Sequence, residues 1–367
     1  MPTQADVRMP ITKRSRGLTR ALLSSSCILM PLAITPAAAQ TVCNFIPGYD
    51  VSSFPETQQA APGDLLTLVN CAFTEVFVGF DVEAARGGDG ANKFIGDSGD
   101  GGAGAKGKAI VISNSGNISH QFSTTGIQAI SIGGNGGTGG STTTFGSGGN
   151  GGAGGNGGFI VVANAGQIDD GSAFRSNSPA IIAISQGGKG GAGGNGGWLS
   201  GGGDGGLPGN SGDKIIVFNS GSIDTSGPRN NGITAQSIGG VGGEGGTAAG
   251  GLLAIGGNGA AGGQGEAVTI INSGSIETTQ DDSKPISARS IGGGGGEGGD
   301  AFAFGLFGGV ALGGYGGGGG AGGDVTVNHN GGTISSQGFR STRVTGRYVW
   351  RVGGGCGRVL GGRGWSG

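Results

Sequence analysis

Glycine dominates this chain from residue 86 onward and limits what the chain can fold into. Of the 96 glycines, 92 lie in the last 282 of the 367 residues, about one position in three. Glycine has no side chain to pack and loses the most backbone entropy on folding, so an ordinary enzyme core is excluded here. Collagen is excluded too, because no strict Gly-X-Y period is present and prolines number only 11.

Two short motifs recur in the glycine-rich part with a common period of about 53 residues. The first is an Asn-Ser-Gly-like turn followed by Ile, and the second is Ile-x-Ala-x-Ser-x-Gly-Gly. The turn asparagines are Asn114, Asn164, Asn219, Asn272 and Asn330, and the second motifs begin at Ile127, Ile181, Ile233 and Ile286. The repeated period indicates a stack of similar structural units.

Both motifs predict β-strands. Short β-branched runs precede the turn asparagines, and the constant Ile, Ala and Ser positions alternate, which places them on one inward face. The variable positions between them, such as Gln128, Thr234 and Gln236, are expected to face solvent. We also expect Asn114, Asn164, Asn219 and Asn272 to stack as a ladder of side-chain hydrogen bonds.

A single repeat cannot stand alone, because its few inward side chains do not offset the entropy of ordering it. Stacked repeats share a continuous core. The sequence therefore predicts an all-β fold, a parallel β-helix solenoid of about 53-residue repeats with long glycine-rich insertions. This region spans residues 86–338.

The insertions occupy about 133–158, 187–212, 239–265 and 292–323, and each has an apolar spot near its middle. These spots contain Phe145, Trp198-Leu199, Leu252-Leu253 and Phe302 to Phe307. The pattern predicts out-and-back excursions with an apolar tip or an inward-folded knob. The similar lengths and the repeated apolar midpoints favour packed polyglycine-II-like segments, and a flexible linker is the alternative.

Residues 1–39 predict an export signal. Basic residues up to Arg20 precede an apolar stretch at 21–34, and small residues precede a cleavage position between Ala39 and Gln40. The apolar stretch is too short and too polar for a membrane anchor, and translation can start at Met1 or at Met9. We expect the mature chain to be exported.

Cys43 and Cys71 lie in the exported segment 40–85, which we interpret as an N-terminal cap. An oxidising compartment favours a disulfide between them, and two separate buried thiols are the alternative. Residues 40–338 hold 22 acidic and 10 basic side chains, a net charge of −12. This charge argues against nucleic acid or an anionic membrane as partner.

The last segment, 339–367, has a different composition, with six arginines and no acidic residue. It lacks the Ile-x-Ala-x-Ser motif that should begin near residue 344. We favour a shifted reading frame as the origin of this segment. A basic aromatic tail for an anionic partner is the alternative.

Few side chains suggest catalysis or metal binding. His120 and His329 have no partner at ligand spacing, and we expect both on the surface. The recurring serines fit a column of small core residues, since no base recurs beside them. Asp97, Asp100 and Asp204 are calcium candidates, but no tandem Gly-Gly-x-Gly-x-Asp repeat supports them. We predict no enzyme activity, no metal and no cofactor.

The order of strand, Asn-Ser-Gly turn, Ile-x-Ala-x-Ser-Ile-Gly-Gly and glycine run resembles the passenger region of glycine-rich proteobacterial autotransporters. These are adhesin-like proteins of type V secretion, and the closest stretches are 126–129 and 232–240. The resemblance implies a parallel β-helix, export by the secretion machinery, display outside the outer membrane and an unknown extracellular ligand.

The resemblance also implies a C-terminal β-barrel translocator. Residues up to Gly367 show no run of ten-residue amphipathic strands, so we expect a passenger fragment without its translocator, periplasmic unless one is supplied. Two alternatives remain. Residues 148–158 resemble mycobacterial glycine-rich surface proteins, and a β-helical polysaccharide-acting enzyme would need charged residues clustered on an outer strand face.

The inward assignment of Ile223, four residues after a turn asparagine, can be tested by substitution. We expect Ile223→Asp to lower the free energy of unfolding by several kcal/mol, because it buries an unpaired charge. Gln236→Asp on the proposed outer face is the control and should be nearly silent. An unchanged thermal midpoint for Ile223→Asp would show that the strand register is wrong.

Overall fold

The computed structural model describes residues 65–70, 78–120, 125–170, 177–198, 200–209, 214–305, 308–341, 344–349 and 359–361. This part of the chain is all-β, with strands, turns and extended segments and no helix. It accordingly contains no helix suited to crossing a lipid bilayer. The predicted signal, its cleavage position at Ala39 and Gln40, and the cysteines Cys43 and Cys71 lie outside the described residues.

Three main sheets consist entirely of parallel strand pairs, and the chain returns to each of them once per repeat. The strands of the first sheet are, in spatial order, β1 (Leu65–Asn70), β3 (Ala109–Asn114), β6 (Ile160–Asn164), β10 (Lys214–Asn219), β15 (Ala267–Asn272) and β20 (Val325–His329). Spatial order therefore follows chain order, as the predicted stacking of repeats requires.

The second and third sheets follow the same rule. The second contains β4 (Ile118–Ser119), β7 (Ile168–Asp169), β11 (Ile223–Thr225), β16 (Ile276–Thr278) and β21 (Ile334–Ser336). The third contains β2 (Val78–Glu83), β5 (Ile127–Ile132), β8 (Ile181–Gln186), β12 (Ile233–Ile238), β17 (Ile286–Ile291) and β22 (Val344–Val349).

The sequence motifs pair with their own copies. Asn164 is opposite Asn114 on one side and Asn219 on the other, and Ile233 is opposite both Ile181 and Ile286. Because identical positions meet, each inward side chain stacks on its equivalent in the next repeat. The two sequence periods therefore correspond to one structural period.

Both ends of the described part extend these sheets. In the segment 40–85, β1 pairs with β3 and β2 pairs with β5. In the arginine-rich segment, β22 pairs with β17, although it lacks the Ile-x-Ala-x-Ser motif. Val344 takes the place of the motif isoleucine and Gly346 that of the alanine. Val344, Thr345, Tyr348 and Val349 have high β propensity, which suits this strand position.

The core is formed by the inward columns of the three sheets. Ile118, Ile168, Ile223 and Ile276 are fully buried, as are the motif isoleucines and alanines of the third sheet. These residues form one continuous cluster with the inward positions of the first sheet. Stacked isoleucines bury apolar area against the repeats above and below, which stabilises the stack more than any single repeat.

The outer faces are less exposed than expected. Thr234 and Ser287, predicted on the solvent side of the third sheet, are 8% and 3% exposed. The hydroxyl of Thr234 accepts a hydrogen bond of 3.1 Å from the Asn231 amide, so the preceding turn covers this position. On the first sheet, Val161 and Phe218 belong to a second buried cluster on the face opposite the main core.

Five glycine-rich excursions connect the third sheet to the first. They occupy 84–108, 133–159, 187–213, 239–266 and 292–324, between the strands that flank them. Each has an outgoing arm, an apex and a return arm. The first excursion was not among the four insertions expected from sequence, because aspartate, lysine and phenylalanine interrupt its glycines.

The arms pack against one another through backbone hydrogen bonds. Gly137 of an outgoing arm donates to the Gly102 carbonyl of the preceding return arm at 2.8 Å. The Gly137 carbonyl in turn accepts from Gly152, and Gly152 accepts from Gly191, each at 2.8 Å. Outgoing and return arms therefore alternate through the stack. This is an ordered arrangement and not a flexible linker.

The arms have a period of three residues. Gly133, Gly136 and Gly139 donate to the outgoing arm of the next repeat, whereas Gly134, Gly137 and Gly140 donate to the preceding return arm. The third residue of each triplet is Asn135, Thr138 or Ser141, and its side chain lies at the outer side. Three residues per turn is the geometry of the polyproline II helix, which polyglycine also adopts.

Glycine is required in the arms for close approach and not for a left-handed backbone. A Cβ atom on Gly137 would overlap the carbonyl of Gly88, and one on Gly152 would overlap that of Gly102. Among the described glycines of the excursions, only Gly96, Gly146 and Gly308 have positive φ, and all three lie at apices. The first two glycines of each triplet are therefore fixed by sterics.

The third residue of the triplet completes the hydrogen bonding. Asp100 Oδ1 accepts from the backbone N–H of Asn150 at 2.7 Å, and Asn150 Oδ1 accepts from Asp204 at 2.9 Å. Asp204 accepts from Asn258 at 2.7 Å, and Asn258 accepts from Tyr315 at 3.0 Å. Each side-chain oxygen thus accepts from the backbone N–H of the equivalent residue in the next repeat. Glycine at the same position has no side chain with which to do so.

The steric role of the arm glycines can be tested on two adjacent positions. In Gly317→Ala the new Cβ overlaps the Ala260 carbonyl, whereas at Gly318 nothing lies within 4 Å. We expect Gly317→Ala to cost about 1–3 kcal/mol of stability, measured by urea unfolding. Gly318→Ala should be neutral or stabilising by up to about 1 kcal/mol, since it restricts the unfolded chain. Equal effects would contradict the packed arrangement.

Candidate interaction surface

The apices of the excursions form two small parallel sheets. One contains β13 (Ala248–Gly250), β18 (Ala301–Ala303) and β23 (Val359–Gly361), and the other contains β9 (Ser200–Gly201), β14 (Leu253–Ile255) and β19 (Val310–Leu312). Isolated parallel bridges join the earlier apices, with Phe145 opposite Trp198. The apices of successive repeats are therefore in register.

Alanine makes the close packing of the apices possible. Ala248, Ala254, Ala301 and Ala303 are buried in one cluster, and Ala311 packs against it. Their short side chains allow the outgoing and return strands to lie near each other, as the glycines do in the arms. Larger side chains at alternate positions are consequently directed away from this cluster.

The apices of the five excursions between residues 84 and 324 each expose at least one large apolar side chain. The apex row consists of Phe94, Ile95, Phe145, Trp198, Leu252 and Phe304, which are between 55% and 69% exposed. The lateral patch beside it consists of Leu253, Ile255, Val310 and Leu312, on the outer face of β14 and β19. The sequence prediction left open an apolar tip or an inward knob, and the structure has exposed tips.

The four apices between residues 142 and 313 carry no charge. The segments 142–149, 196–203, 245–257 and 301–313 contain no Asp, Glu, Lys or Arg. The first apex has Lys93 and Asp97 beside Phe94, and in the sequence Arg358 and Arg363 flank β23. The exposed surface at the four middle excursion ends is therefore apolar and uncharged, and contiguous surfaces of this kind mark interaction sites.

The turn asparagines form a ladder where each strand of the first sheet leads into the second sheet. Asn114 Nδ2 donates to Asn164 Oδ1 at 2.7 Å, Asn164 to Asn219 at 2.8 Å, and Asn219 to Asn272 at 2.7 Å. Each amide also donates to the carbonyl two residues later, as from Asn114 to Gly116 at 2.9 Å. The asparagines are buried, and their bonds fix the corner between the first and second sheets.

The fifth position of the ladder is a histidine. Asn272 is opposite His329, whose Nδ1 lies 3.0 Å from Asn272 Nδ2. Asn330, grouped with the turn asparagines from its sequence, is one residue out of register. The turn from His329 to Ile334 is one residue longer than the turn from Asn272 to Ile276, and this places Asn330 one position beyond the ladder.

His120 is not a surface residue. It is fully buried, contrary to the sequence expectation, at the end of β4 where the chain leaves the second sheet. His329, by contrast, is exposed. Sequence reasoning missed His120 because no other repeat has histidine at this place, so no recurring pattern indicated its burial.

The recurring serines do more than fill space. Ser131 Oγ donates to the Lys108 carbonyl at 2.7 Å and accepts from Gly158 N–H at 3.0 Å. Ser185 Oγ donates to the Gly158 carbonyl at 2.8 Å. These partners end the return arms just before the first sheet. The serines therefore hold the base of each excursion, which gives the apices a fixed position.

An acidic column runs along the second sheet. Asp224 is opposite Asp169 on one side and Glu277 on the other. Burial, and then the negative charges of Asp169 and Glu277, raise the pKa of Asp224 above its usual value. Nearby Asp170 accepts hydrogen bonds from Ser226 and from Asn230 Nδ2, the latter at 2.9 Å.

The pKa of Asp89, in the first excursion, is shifted in the opposite direction to that of Asp224. Its Oδ1 accepts from the Thr138 backbone N–H and hydroxyl, both at 2.9 Å, and it pairs with Arg86. The Thr138 N–H, with Arg86 second, lowers the pKa of Asp89 to about 2. Carboxylates in the arms therefore serve as backbone acceptors, whereas those of the second sheet repel one another.

The calcium candidates Asp97, Asp100 and Asp204 lie apart, each accepting from a backbone N–H of the next repeat at 2.7–2.8 Å. Within the part of the chain that the structure describes, no three His, Cys, Asp or Glu side chains form a group suited to a metal ion. Asp100 and Asp204 occupy the position that Asn150 and Asn258 occupy in neighbouring repeats, which indicates a structural role.

Comparisons with protein family models, with curated protein sequences and with solved structures find no match for this chain.

The acidic column predicts that neutralising Asp224 stabilises the fold, and that this stabilisation depends on pH. Because its pKa is raised in the folded chain, Asp224 ionises less readily there than in the unfolded chain. The ionised form therefore destabilises the fold, and the protonated form does not. We expect Asp224→Asn to raise the thermal midpoint at pH 7, and the gain to disappear as the pH falls to about 4, the ordinary Asp range.

The matched control for Asp224→Asn is Asp100→Asn, which removes one charge at a position where the next repeat already carries Asn150. It should not raise the midpoint. An equal gain from both variants would show that net charge, and not the column, is responsible.

Proposed function

We propose that this protein is an exported, non-catalytic structural and adhesive surface protein of the autotransporter passenger type. Its fold is proposed to be a parallel β-helix solenoid of about 53-residue repeats, with the glycine excursions projecting from one corner. Support for the solenoid comes from three parallel sheets whose spatial order follows chain order. The signal-like segment 1–39 supports export.

The observation that carries the proposal is the apex row, in which stacked apices each expose a large apolar side chain. Five excursions hold Phe94, Phe145, Trp198, Leu252 and Phe304 at successive levels of one stack. Exposed aromatic and aliphatic side chains cost solubility, so a chain that repeats them at every level uses them for contact. The arms hold the apices away from the three main sheets, and the sheets form a rigid base.

Rigidity favours adhesion through such a surface. Backbone hydrogen bonds order the arms before any partner arrives, so little conformational entropy is lost on contact. Many copies of such a protein on one cell would multiply weak individual contacts into firm attachment. The recurring serines and asparagines stabilise the repeats, which fits a structural role for the positions that recur in each unit.

The partners proposed are an extracellular surface, the export machinery and a β-barrel translocator supplied with the chain or separately. The net charge of −12 over residues 40–338 keeps the body soluble and away from nucleic acid. Adhesion is therefore expected to depend on the apices and not on the acidic faces of the sheets.

Display can be tested by fusing residues 40–367 to an autotransporter β-barrel in a host that lacks other adhesins. We expect the chain to be cleaved by protease added to intact cells, and the cells to adhere to epithelial layers more than cells with the barrel alone. The readouts are immunoblotting after protease treatment and counts of adherent cells.

The control fusion carries Gly317→Ala, which disturbs arm packing while leaving the core sequence unchanged. It should be displayed but adhere less. Retention of the unaltered chain in the periplasm, or display without any adhesion, would contradict the proposed function.

A further inference from the structure

We propose that the apex row and the lateral patch bind the same surface of a second copy of this chain, in a two-fold pair with antiparallel rows. This inference rests on the proposed function, because it names the partner that the apices contact. Both copies contribute the same side chains to a two-fold interface, so the surface has to be complementary to itself.

The apex row and the lateral patch form one continuous surface along the stack. Phe145 lies opposite Trp198, and the Trp198 ring lies against Gly251, next to Leu252. The Leu252 carbonyl accepts from the Val310 N–H at 2.8 Å, which joins the row to the lateral patch. Exposed side chains of successive levels are therefore neighbours and not isolated apolar spots.

The size of this surface is that of a protein interface. Its ten side chains are between 39% and 69% exposed. Since a large apolar side chain has about 200 Å² to bury, together they present on the order of 1,000 Å². The largest apolar patch of a typical monomer covers about 300–600 Å², whereas a stable protein pair buries about 800 Å² on each partner. The exposed area therefore exceeds that of a typical monomer and is sufficient for a pair.

The spacing of the levels selects a second copy as the partner. Parallel strands lie about 4.8 Å apart, and the apex strands β13 and β18, like β14 and β19, are parallel neighbours. A row with this repeat has ridges and grooves that are best matched by another row with the same repeat. A partner without that repeat fits one or two levels and leaves the others exposed.

The lack of charge on the row also fits its own copy. The four apices between residues 142 and 313 contain no Asp, Glu, Lys or Arg. Two such rows meet without burying an unpaired charge. A charged partner surface would lose its hydration against these side chains and gain no opposite charge in return.

The charged ends of the row determine its direction in the pair. The first apex has both Lys93 and Asp97, and in the sequence Arg358 and Arg363 flank β23, the last apex strand. Parallel rows would place β23 against β23 and gather four arginines, which repel one another. Antiparallel rows place β23 against the first apex, where Asp97 offers the opposite charge.

The acidic sheets do not prevent this contact. An arm such as 133–141 has about nine residues, and at about 3.1 Å per residue it extends about 28 Å. Two arms that meet at their apices hold the main sheets of the two copies about 50 Å apart, whereas charges are screened beyond about 8 Å at physiological salt. Repulsion between the sheets therefore has little effect on the pairing of the apices.

Sedimentation equilibrium of the exported full chain tests the pairing. We expect the mass of two chains, with a dissociation constant of about 10 µM or lower, and no weakening in 1 M salt because apolar contacts are not screened. The double variant Leu252→Ser/Phe304→Ser should pair at least about tenfold more weakly, since each copy loses two large apolar side chains. Its thermal midpoint should stay unchanged, because both side chains are exposed.

The matched control is Leu207→Ser/Val241→Ser, which removes exposed apolar side chains from the arms and not from the apices. It should pair like the unaltered chain. Three results would each overturn the proposal: the mass of one chain for the unaltered protein at about 100 µM, an equal loss of pairing in both double variants, or a pair that dissociates in 1 M salt.

Photo-cross-linking tests the antiparallel arrangement. With p-benzoylphenylalanine in place of Phe94, the cross-linked dimer should contain residue 94 joined to the partner's β23. With it in place of Trp198, the joined peptide should contain the partner's Leu252, because the two-fold axis lies between the third and fourth of the six levels. Cross-links from residue 94 to residue 94 would show parallel rows and contradict the proposal.

Failure of the pairing is distinguishable from failure of the proposed function. A chain that is displayed and adheres to cells, yet sediments as a single chain, uses its apices for another partner. A chain that forms pairs but is retained in the periplasm, or is displayed without adhesion, has the pairing surface without the proposed function.

Discussion

Close contact between backbones is the constraint on which this structure depends. In the arms, glycine carbonyls and N–H groups of neighbouring segments meet at 2.8 Å with no side chain between them. A Cβ atom at Gly137 or Gly152 would overlap a carbonyl. The arms thus exchange side-chain packing for backbone hydrogen bonding, and this allows long excursions to be ordered without a hydrophobic core of their own.

The rest of the fold supports that exchange. The isoleucine columns supply a conventional apolar core, and the parallel strand ladders set the spacing between repeats. The asparagine ladder fixes one corner, and the serines fix the base of each excursion. Because every level shares this spacing, the arms meet in register and the apices stack. The exposed row at their ends is therefore positioned by the distant core.

Recurrence made the core predictable from sequence. The columns of Ile223 and Ala235 and the stacking of Asn164 on Asn219 follow from motifs that keep one period. The burial of His120 and of Thr234 did not follow, since neither belongs to a constant position. The acidic column was missed because the sequence does not show that Asp169, Asp224 and Glu277 are neighbours.

The sequence predicted where the candidate surface lies but not whether its apolar side chains are exposed. Apolar midpoints of the glycine runs indicated where the apices are, yet their exposure depends on the packing of the arms. A signal for that packing was present in the Gly-Gly-x triplets, such as those at 133–141, whose third residue is often Asn, Asp or Thr. Triplets of this kind were hidden by the lack of a continuous period along the whole chain.

The one-directional asparagine ladder has a consequence for how such a chain can evolve. Each internal asparagine accepts a hydrogen bond from the repeat before it and donates one to the repeat after it. Every internal repeat therefore presents the same donor and the same acceptor to its neighbours. A gene duplication that copies one whole repeat would add a strand to each main sheet, one rung and one apex, with no change elsewhere. Repeat number is therefore free to vary between descendants, whereas a single-residue insertion inside a strand is not tolerated.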